Sequence, residues 1–269
     1  MSAARLGPGD APSPDASTAR ATKRIVRDGE SDLVAIEEPL EIRVDGEPIA
    51  VTMRTPGHDE ELAVGFLYGE GLLEHLPAVG LTDDLAANTI EVRGPLTHEP
   101  RARRFYTTSS CGVCGKGALE EVAVHSAPLP AGPLVDRDLL ASLPDKLVQP
   151  GFARTGGLHA TGLFDPAGKL QCAREDVGRH NAMDKVVGWA LAGGRMPLHD
   201  ALLCVSGRLS FELVQKAAVA GCAILVGVGA PTSLAVELAA DRRMTLCGFA
   251  RRDRVNLYTH PERVREPAV

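Results

Sequence analysis

Aromatic side chains are scarce: Phe, Tyr and Trp together make up 4% of the 269 residues. The core must therefore be aliphatic, and bases or sugars would find few stacking platforms. Net positive charge is also lacking, and the formal charge of −6 disfavours nucleic acid as a partner. No apolar stretch resembles a membrane span, since the longest runs, such as Ala217 to Gly229, are short and broken by Gly and Cys. Residues 1–22 are rich in Ala, Pro, Ser, Gly and Asp without an apolar segment, which predicts a disordered tail rather than a signal peptide. A second closely spaced Cys or His pair is missing too, and with it the strong signature of structural zinc, so no metal site is expected. Six cysteines without an export signal point to a reducing compartment, the cytoplasm. The hydrophobic content of 44% is enough for a real core, in one large domain or two ordinary ones.

The feature that stands out is Cys111-Gly112-Val113-Cys114-Gly115, preceded by Thr107, Thr108, Ser109 and Ser110 and followed by Lys116 and Gly117. Such a small, polar, glycine-rich segment has almost nothing to bury and reads as a mobile loop presenting two thiols. A Cys-x-x-Cys pair serves as half a zinc site, as a dithiol redox couple, or as a handler of sulfur or metal in transit. Zinc lacks its other two ligands, and the Gly, Ser and Thr surroundings suit a thioredoxin-like motif poorly. A nucleophilic thiol that accepts and passes on sulfur remains. Lys116, Arg101, Arg103 and Arg104 would favour its thiolate, although such a cluster fits a solvated surface equally well. Cys172, Cys204, Cys222 and Cys247 stand alone, three of them within or beside apolar runs, and read as small buried hydrophobes.

Alternation from Ile25 to about Thr55 with a turn at Asp45-Gly46 predicts a hairpin, and Asp59 to Leu73 a helix with acidic residues in its first turn. Ala87 to Arg93 reads as a strand. We expect an α+β unit over 23–125 that ends in the thiol loop (107–117), then an α/β unit over 126–265. In the second unit, a short helix near Asp136 to Leu143 precedes a hairpin of Leu158 to Phe164 and Lys169 to Arg174 around Asp165-Pro166-Ala167-Gly168. Met183, Val186, Val187, Ala190 and Leu191 define one apolar face of a helix that Gly193-Gly194 ends. Strands Ala201 to Val205, Ala223 to Val226 and Thr245 to Phe249 then alternate with helices Ser210 to Ala220 and Thr232 to Ala240, as in a parallel sheet covered by helices.

Ligands of such sheets collect at the carboxyl ends of the strands, here Ser206-Gly207-Arg208, Gly227 to Ser233 and Ala250 to Arg254. Ser206, Arg208, Thr232 and Ser233 supply hydroxyl and guanidinium groups suited to an anion, and helix starts behind the first two loops would add free N–H groups. The polar run Arg174 to Asn181 lies between a strand and a helix. It reads either as the lining of a site or as helix capping by Asp176 or Asn181, the site reading being favoured. His159, alone in its strand, reads as a hydrogen-bonded core histidine.

Together, these residues resemble the formate dehydrogenase accessory sulfurtransferase family, FdhD/NarQ. The resemblance spans about residues 22 to 265. It rests on Cys111-Gly-Val-Cys114-Gly115, Thr155-Gly-Gly-Leu-His159-Ala, Glu175-Asp-Val-Gly-Arg-His-Asn181-Ala-Met-Asp-Lys185, Val205-Ser-Gly-Arg-Leu-Ser210, Gly227-Val-Gly-Ala-Pro-Thr-Ser233 and Tyr258-Thr-His260-Pro. It implies a carrier that takes sulfur from a cysteine desulfurase as a persulfide on Cys111. The sulfur then passes to the molybdenum cofactor, bis(molybdopterin guanine dinucleotide), for formate dehydrogenase. Cys114 would be the second loop thiol, able to release or relay the sulfur. Phe249, Ala250, Arg251, Arg252, Asp253 and Arg254 match a cofactor-binding stretch whose arginines suit a pyrophosphate, and a guanine nucleotide would occupy the same pocket. The family also implies a homodimer and a second unit with the cytidine deaminase fold. The deaminase zinc motif is absent, because Ala160-Thr161 follow His159 and no Pro precedes the Cys pair. The alternative reading is a non-catalytic chaperone of the cofactor, and a third is a metal-binding module.

Overall fold

The computed structural model describes residues 21–81, 88–97, 105–106, 124 and 126–266. It begins with a two-stranded hairpin, β1 (Thr22–Arg27) and β2 (Glu30–Ala35), and a second hairpin, β3 (Glu38–Val44) and β4 (Glu47–Arg54). The single hairpin expected over 25–55 is thus two. Each turns through Asp-Gly with both residues at positive φ, 52° and 84° at Asp28 and Gly29, 48° and 88° at Asp45 and Gly46. Those values define the two-residue turn whose twist matches paired strands, and Asp-Gly is the pair that tolerates them. β3 and β4 join β5 (Ala78–Leu81), β6 (Thr89–Arg93) and β7 (Phe105–Tyr106) in a five-stranded sheet ordered β5-β6-β3-β4-β7. Helix α1 (Asp59–Gly69) covers it, burying Leu62, Phe66 and Leu67 against Leu40, Ile42, Ile90 and Val92. α1 ends four residues before the expected Leu73, because Gly71 turns the chain at φ 72° and lets Leu72 and Leu73 drop into the same core.

The second sheet has six strands in the order β10-β9-β11-β12-β13-β14: β9 (His159–Phe164), β10 (Leu170–Asp176), β11 (Leu202–Val205), β12 (Ile224–Gly227), β13 (Thr245–Arg251) and β14 (Arg254–Thr259). Only β11, β12 and β13 run parallel. These are the three strands whose alternation with helices predicts a parallel sheet, and the expected β9-β10 hairpin extends that sheet on one side while β14, which the sequence did not reveal, closes the other as an antiparallel edge. Helices α2 (Arg137–Ser142) and α3 (Pro150–Thr155) precede β9, and α4 (Arg179–Ala192), α5 (Phe211–Val219) and α6 (Ser233–Asp241) follow. α4, α5 and α6 bury one face of the sheet through Met183, Val187, Leu213, Val214 and Ala235, while α2 covers the other through Leu140. A short parallel pair, β8 (Val135–Asp136) with β15 (Val264–Arg265), ties the last described residues beside α2.

α4 was expected to show one apolar face, yet Asn181, Asp184 and Lys185 are buried as well. Its far side packs on α1, which stacks the two helices between the sheets, and Asn181, Asp184 and Lys185 are each paired there. Lys185 Nζ lies 2.7 Å from Asp176 and donates to the Thr55 carbonyl at 2.8 Å, and Asp184 lies 2.9 Å from Lys216 of α5. Among the described residues no helix is long and apolar enough to cross a membrane.

Candidate functional site

Cys111 and Cys114 lie outside the described residues, as do Lys116, Arg101, Arg103 and Arg104. The other four thiols are free and buried, as expected. Burial pushes Cys172 up to about 12 against the pull of Arg174. It also pushes Cys222 up to about 11, Cys247 up to about 12, and Cys204 upward beside Cys247. A thiol held protonated is neither a nucleophile nor a metal ligand at neutral pH, so these four are part of the core and not of the chemistry.

The carboxyl edge of β11, β12 and β13 brings together three loops. Their backbones interlock: Gly229 N–H donates to Gly207 O at 2.9 Å, Leu209 N–H to Ala230 O at 3.0 Å, and Phe249 N–H to Gly229 O at 3.2 Å. A Cβ on Gly229 would sit 2.9 Å from Arg208 Cα, and one on Gly248 3.1 Å from Pro231 Cδ, so glycine is what lets the loops touch. Ser206 is engaged on both sides of Ala160, its Oγ accepting from that N–H at 2.8 Å and its own N–H donating to that carbonyl. Arg208 is exposed. Thr232 caps α6 by accepting from Ala235 N–H at 3.3 Å, and Ser233 is exposed on the first turn.

The sequence placed Ala250 to Arg254 in a loop, but β13 runs through Arg251 and β14 starts at Arg254, so the segment is a hairpin tip with Arg251 opposite Arg254. A register shift between Gly248 and Arg251 leaves Phe249 exposed at φ 53°, whereas Ala250 is buried in the core on the opposite face. Arg251, Arg252, Asp253 and Arg254 are exposed, and the three arginines have no carboxylate partner among the described residues. Val228 and Tyr258 are exposed beside Phe249, so the edge combines apolar surface with free guanidinium groups.

The polar run 174–181 divides. Arg174 grips Glu61 of α1 with two bonds of 2.6 and 2.8 Å, and although burial opposes it, this pairing and His58 hold Glu61 below the usual carboxylate range. Glu175 accepts the Gly151 and Phe152 N–H groups at 2.7 Å, satisfying the start of α3, and burial raises its carboxyl. Asp176 is fully buried against Lys185 and accepts from Thr55 N–H at 3.1 Å, Gly178 N–H at 2.8 Å and Asn181 Nδ2 at 3.1 Å. Neither Asp176 nor Asn181 caps α4: the N-cap is Gly178, and no side chain accepts there. Four members of the run thus hold the fold together.

Arg179 and His180 turn toward the loop edge. His180 Nε2 lies 3.2 Å from Ser210 Oγ and 2.8 Å from Glu212, and that hydrogen bond lowers the Glu212 carboxyl. His159, read as a bonded core histidine, is half-buried without a hydrogen bond among the described residues, its Nδ1 3.4 Å from where a Cβ on Gly207 would be. Burial first, then the charges of Arg179, His180 and Arg208, hold its imidazole below the ordinary range. The sequence missed this cation cluster, whose only advance signal was the density of Arg and His in separate motifs.

The FdhD/NarQ family model matches residues 35–265. A sulfur carrier protein FdhD from Mycobacterium tuberculosis is 47% identical over 253 residues, covering 87% of this chain and 92% of that protein. One of the same description from Nocardia farcinica is 49% identical over 249 residues, covering 87% and 88%. A crystal structure from Desulfotalea psychrophila, described as that of a formate dehydrogenase accessory protein, superposes with a TM-score of 0.70 at 28% identity, covering 91% and 97% of the two chains.

Proposed function

The chain belongs to the FdhD/NarQ family, and from that membership we propose that it is a sulfur carrier whose working thiol is Cys111. The observation that carries this reading is that Cys172, Cys204, Cys222 and Cys247 are all buried with raised thiol pKa values, which leaves Cys111 and Cys114 to do any sulfur chemistry.

The Cys111 thiolate attacks the terminal sulfur of a persulfide on a cysteine desulfurase. The donor S–S bond breaks, a new S–S bond forms on Cys111, and the donor leaves as a thiolate, so the exchange needs no outside electrons. Release of that sulfur as sulfide takes two electrons. Attack by Cys114 on the inner sulfur of the Cys111 persulfide supplies them, giving sulfide and a Cys111–Cys114 disulfide that a cellular dithiol reduces. The substrate that receives sulfur is the molybdenum cofactor, bis(molybdopterin guanine dinucleotide), destined for formate dehydrogenase. Support for a nucleotide-bearing substrate comes from the loop edge, where Arg208, Arg251, Arg252 and Arg254 stand free around Phe249, offering guanidinium groups to phosphates and a ring to a base.

The test is intact mass after incubation with a cysteine desulfurase and cysteine. A reductant-sensitive gain of one sulfur in the wild-type chain and in Cys114→Ala, absent from Cys111→Ala, is the expected result. No gain in any form overturns the carrier reading. Survival of formate dehydrogenase activation in Cys111→Ala would instead identify a cofactor chaperone.

A further inference from the structure

Gln215 and Lys216 are buried on α5, a helix whose neighbouring positions Leu213, Val214, Ala217 and Ala218 fill the apolar core. The ammonium of Lys216 is accounted for: it lies 2.9 Å from Asp184 of α4 and 3.5 Å from Glu70 at the end of α1, with the Phe66 ring 5.3 Å away. The Gln215 amide, 6% exposed, reaches a different element. Its Oε1 accepts the N–H of Val124 at 2.9 Å, and Val124 Cγ1 lies 3.0 Å from where a Cβ on Gly71 would be. A buried amide is costly unless it is bonded, so this side chain marks a point that the fold has fixed. Val124 follows the stretch 107–123 that carries Cys111 and Cys114, and before that stretch β7 pairs with Ala50 and Val51 of β4. The chain that bears the thiols thus leaves from the five-stranded sheet and returns where the end of α1 meets α5. Gln215 lies five residues after Ser210, the N-cap of α5, or about 7.5 Å along the helix axis from the loop that leaves β11. Cys114 lies ten residues before Val124, a span of at most about 35 Å.

We propose that Gln215 is a positioning residue for sulfur delivery: by holding the Val124 N–H it fixes where the chain behind the two thiols joins α5, within reach of the loop edge of β11 and β12. This role rests on the proposed function, since it is delivery of sulfur from Cys111 that the anchor serves. Tether length alone would not call for a buried amide. Beyond Val124, the next hydrogen bond of the chain among the described residues runs from Leu129 N–H to Arg242 O. Losing the anchor therefore lengthens the span between fixed points from residues 107–123 to residues 107–128 at most. By loop-closure scaling that dilutes the thiols only about 1.5-fold. A larger loss of delivery reports the place of the anchor and not the length of the tether.

The experiment uses the full chain and reads the anchor, loading and delivery separately. Gln215→Met keeps the bulk and removes the acceptor, whereas Gln215→Glu keeps an acceptor. Hydrogen exchange at the Val124 amide is expected to quicken by about fivefold in Gln215→Met and by less in Gln215→Glu. Intact mass after incubation with a cysteine desulfurase and cysteine should show the same gain of one sulfur in all three forms. Activation of formate dehydrogenase by equal amounts of loaded carrier should slow in Gln215→Met by more than the tether's share, up to about fivefold, and recover in part in Gln215→Glu. Where Gln215→Met loses the fold, Val124→Pro, which removes the donor in place of the acceptor, carries the same expectation for loading and delivery. Unchanged Val124 exchange in Gln215→Met overturns the anchor. Normal loading with delivery slowed by no more than about 1.5-fold, or an equal loss in Gln215→Met and Gln215→Glu, overturns the positioning role and leaves the carrier standing. Absence of any sulfur gain in the wild-type chain overturns the carrier reading itself, and the positioning role with it.

Discussion

Gly65 of α1 and Gly188 of α4 meet backbone to backbone: a Cβ on Gly65 would lie 2.8 Å from Gly188 N and 1.9 Å from Asp184 O, and one on Gly188 1.9 Å from Glu61 O. Both contacts are with backbone, which cannot turn aside as a side chain can. Alanine at either position must drive apart the two helices that stack the five-stranded sheet on the six-stranded one. Gly65→Ala and Gly188→Ala should each destabilise by roughly 3 kcal/mol or more, at the upper end of overpacking costs. Urea unfolding checks this, and a midpoint within error of wild type would show that the helices do not touch there.

The same joint is locked by Asp176 and Lys185, both almost wholly buried and 2.7 Å apart. Removing one partner strands a buried charge, so Asp176→Asn and Lys185→Met should each cost about 3–5 kcal/mol, while Asp176→Asn combined with Lys185→Met should cost less than the sum. A double-mutant cycle by chemical denaturation measures the coupling. Strictly additive losses would mean that the pair is not the unit that holds Thr55 to α4.

Local chemistry was the legible part of this fold. Asp45-Gly46 specifies its turn outright, the alternation of Leu40, Ile42 and Val44 specifies the buried face of β3, and Gly193 marks a helix end, whereas the turn at Asp28-Gly29 and the helix end before Gly71 emerge only in the structure. Strand direction was legible where a helix or a tight turn joins the strands, as in the parallel β11, β12 and β13 and the β9-β10 hairpin, whereas β14 was not, because the arginine-rich tip that turns β13 back into it reads as a loop. α3 is six residues long, too short for a helical period, and its start is satisfied by Glu175 from another element. Asp184 and Lys185 fall outside the apolar face read for α4, and pattern alone cannot tell water from a buried partner. In the candidate site, the arginine loops were visible as composition. The His159 cluster was not, since residues 159, 179 and 208 meet only through the antiparallel pairing of β9 with β11.

His159 supplies a pH signature. Its imidazole is held below the ordinary 6.5 by burial, then by Arg179, His180 and Arg208, with Asp176 opposing. A depressed folded value means that the unfolded chain takes a proton that the folded one refuses. The stability His159 contributes is therefore whole above pH 6.5 and falls away as pH drops from there through the folded value. NMR titration of the free protein should place the His159 midpoint below 6.5, and His159→Asn should flatten the stability profile over that interval. A midpoint at or above 6.5 would show that the three cations do not face the ring.

Gly229 offers a sharper separation of fold from site than the helix glycines do. A Cβ there meets Arg208 Cα at 2.9 Å, Arg208 N at 3.0 Å and Gly207 O at 3.0 Å, so alanine must displace the loop that carries Arg208 and break the Gly229 to Gly207 hydrogen bond. That loop lies at the edge of the sheet, and the apolar core beneath it, Leu209 and Leu213 among others, can stay packed. Gly229→Ala should therefore cost only about 1–3 kcal/mol of stability while weakening guanosine diphosphate binding by about tenfold or more through loss of Arg208 and the shared loop surface. Calorimetric titration beside thermal unfolding reads both quantities from one preparation. Undiminished binding in a folded Gly229→Ala variant would move the nucleotide site away from the carboxyl edge of β11 and β12, because no rearrangement of that edge that admits the new methyl leaves Arg208 where it stands.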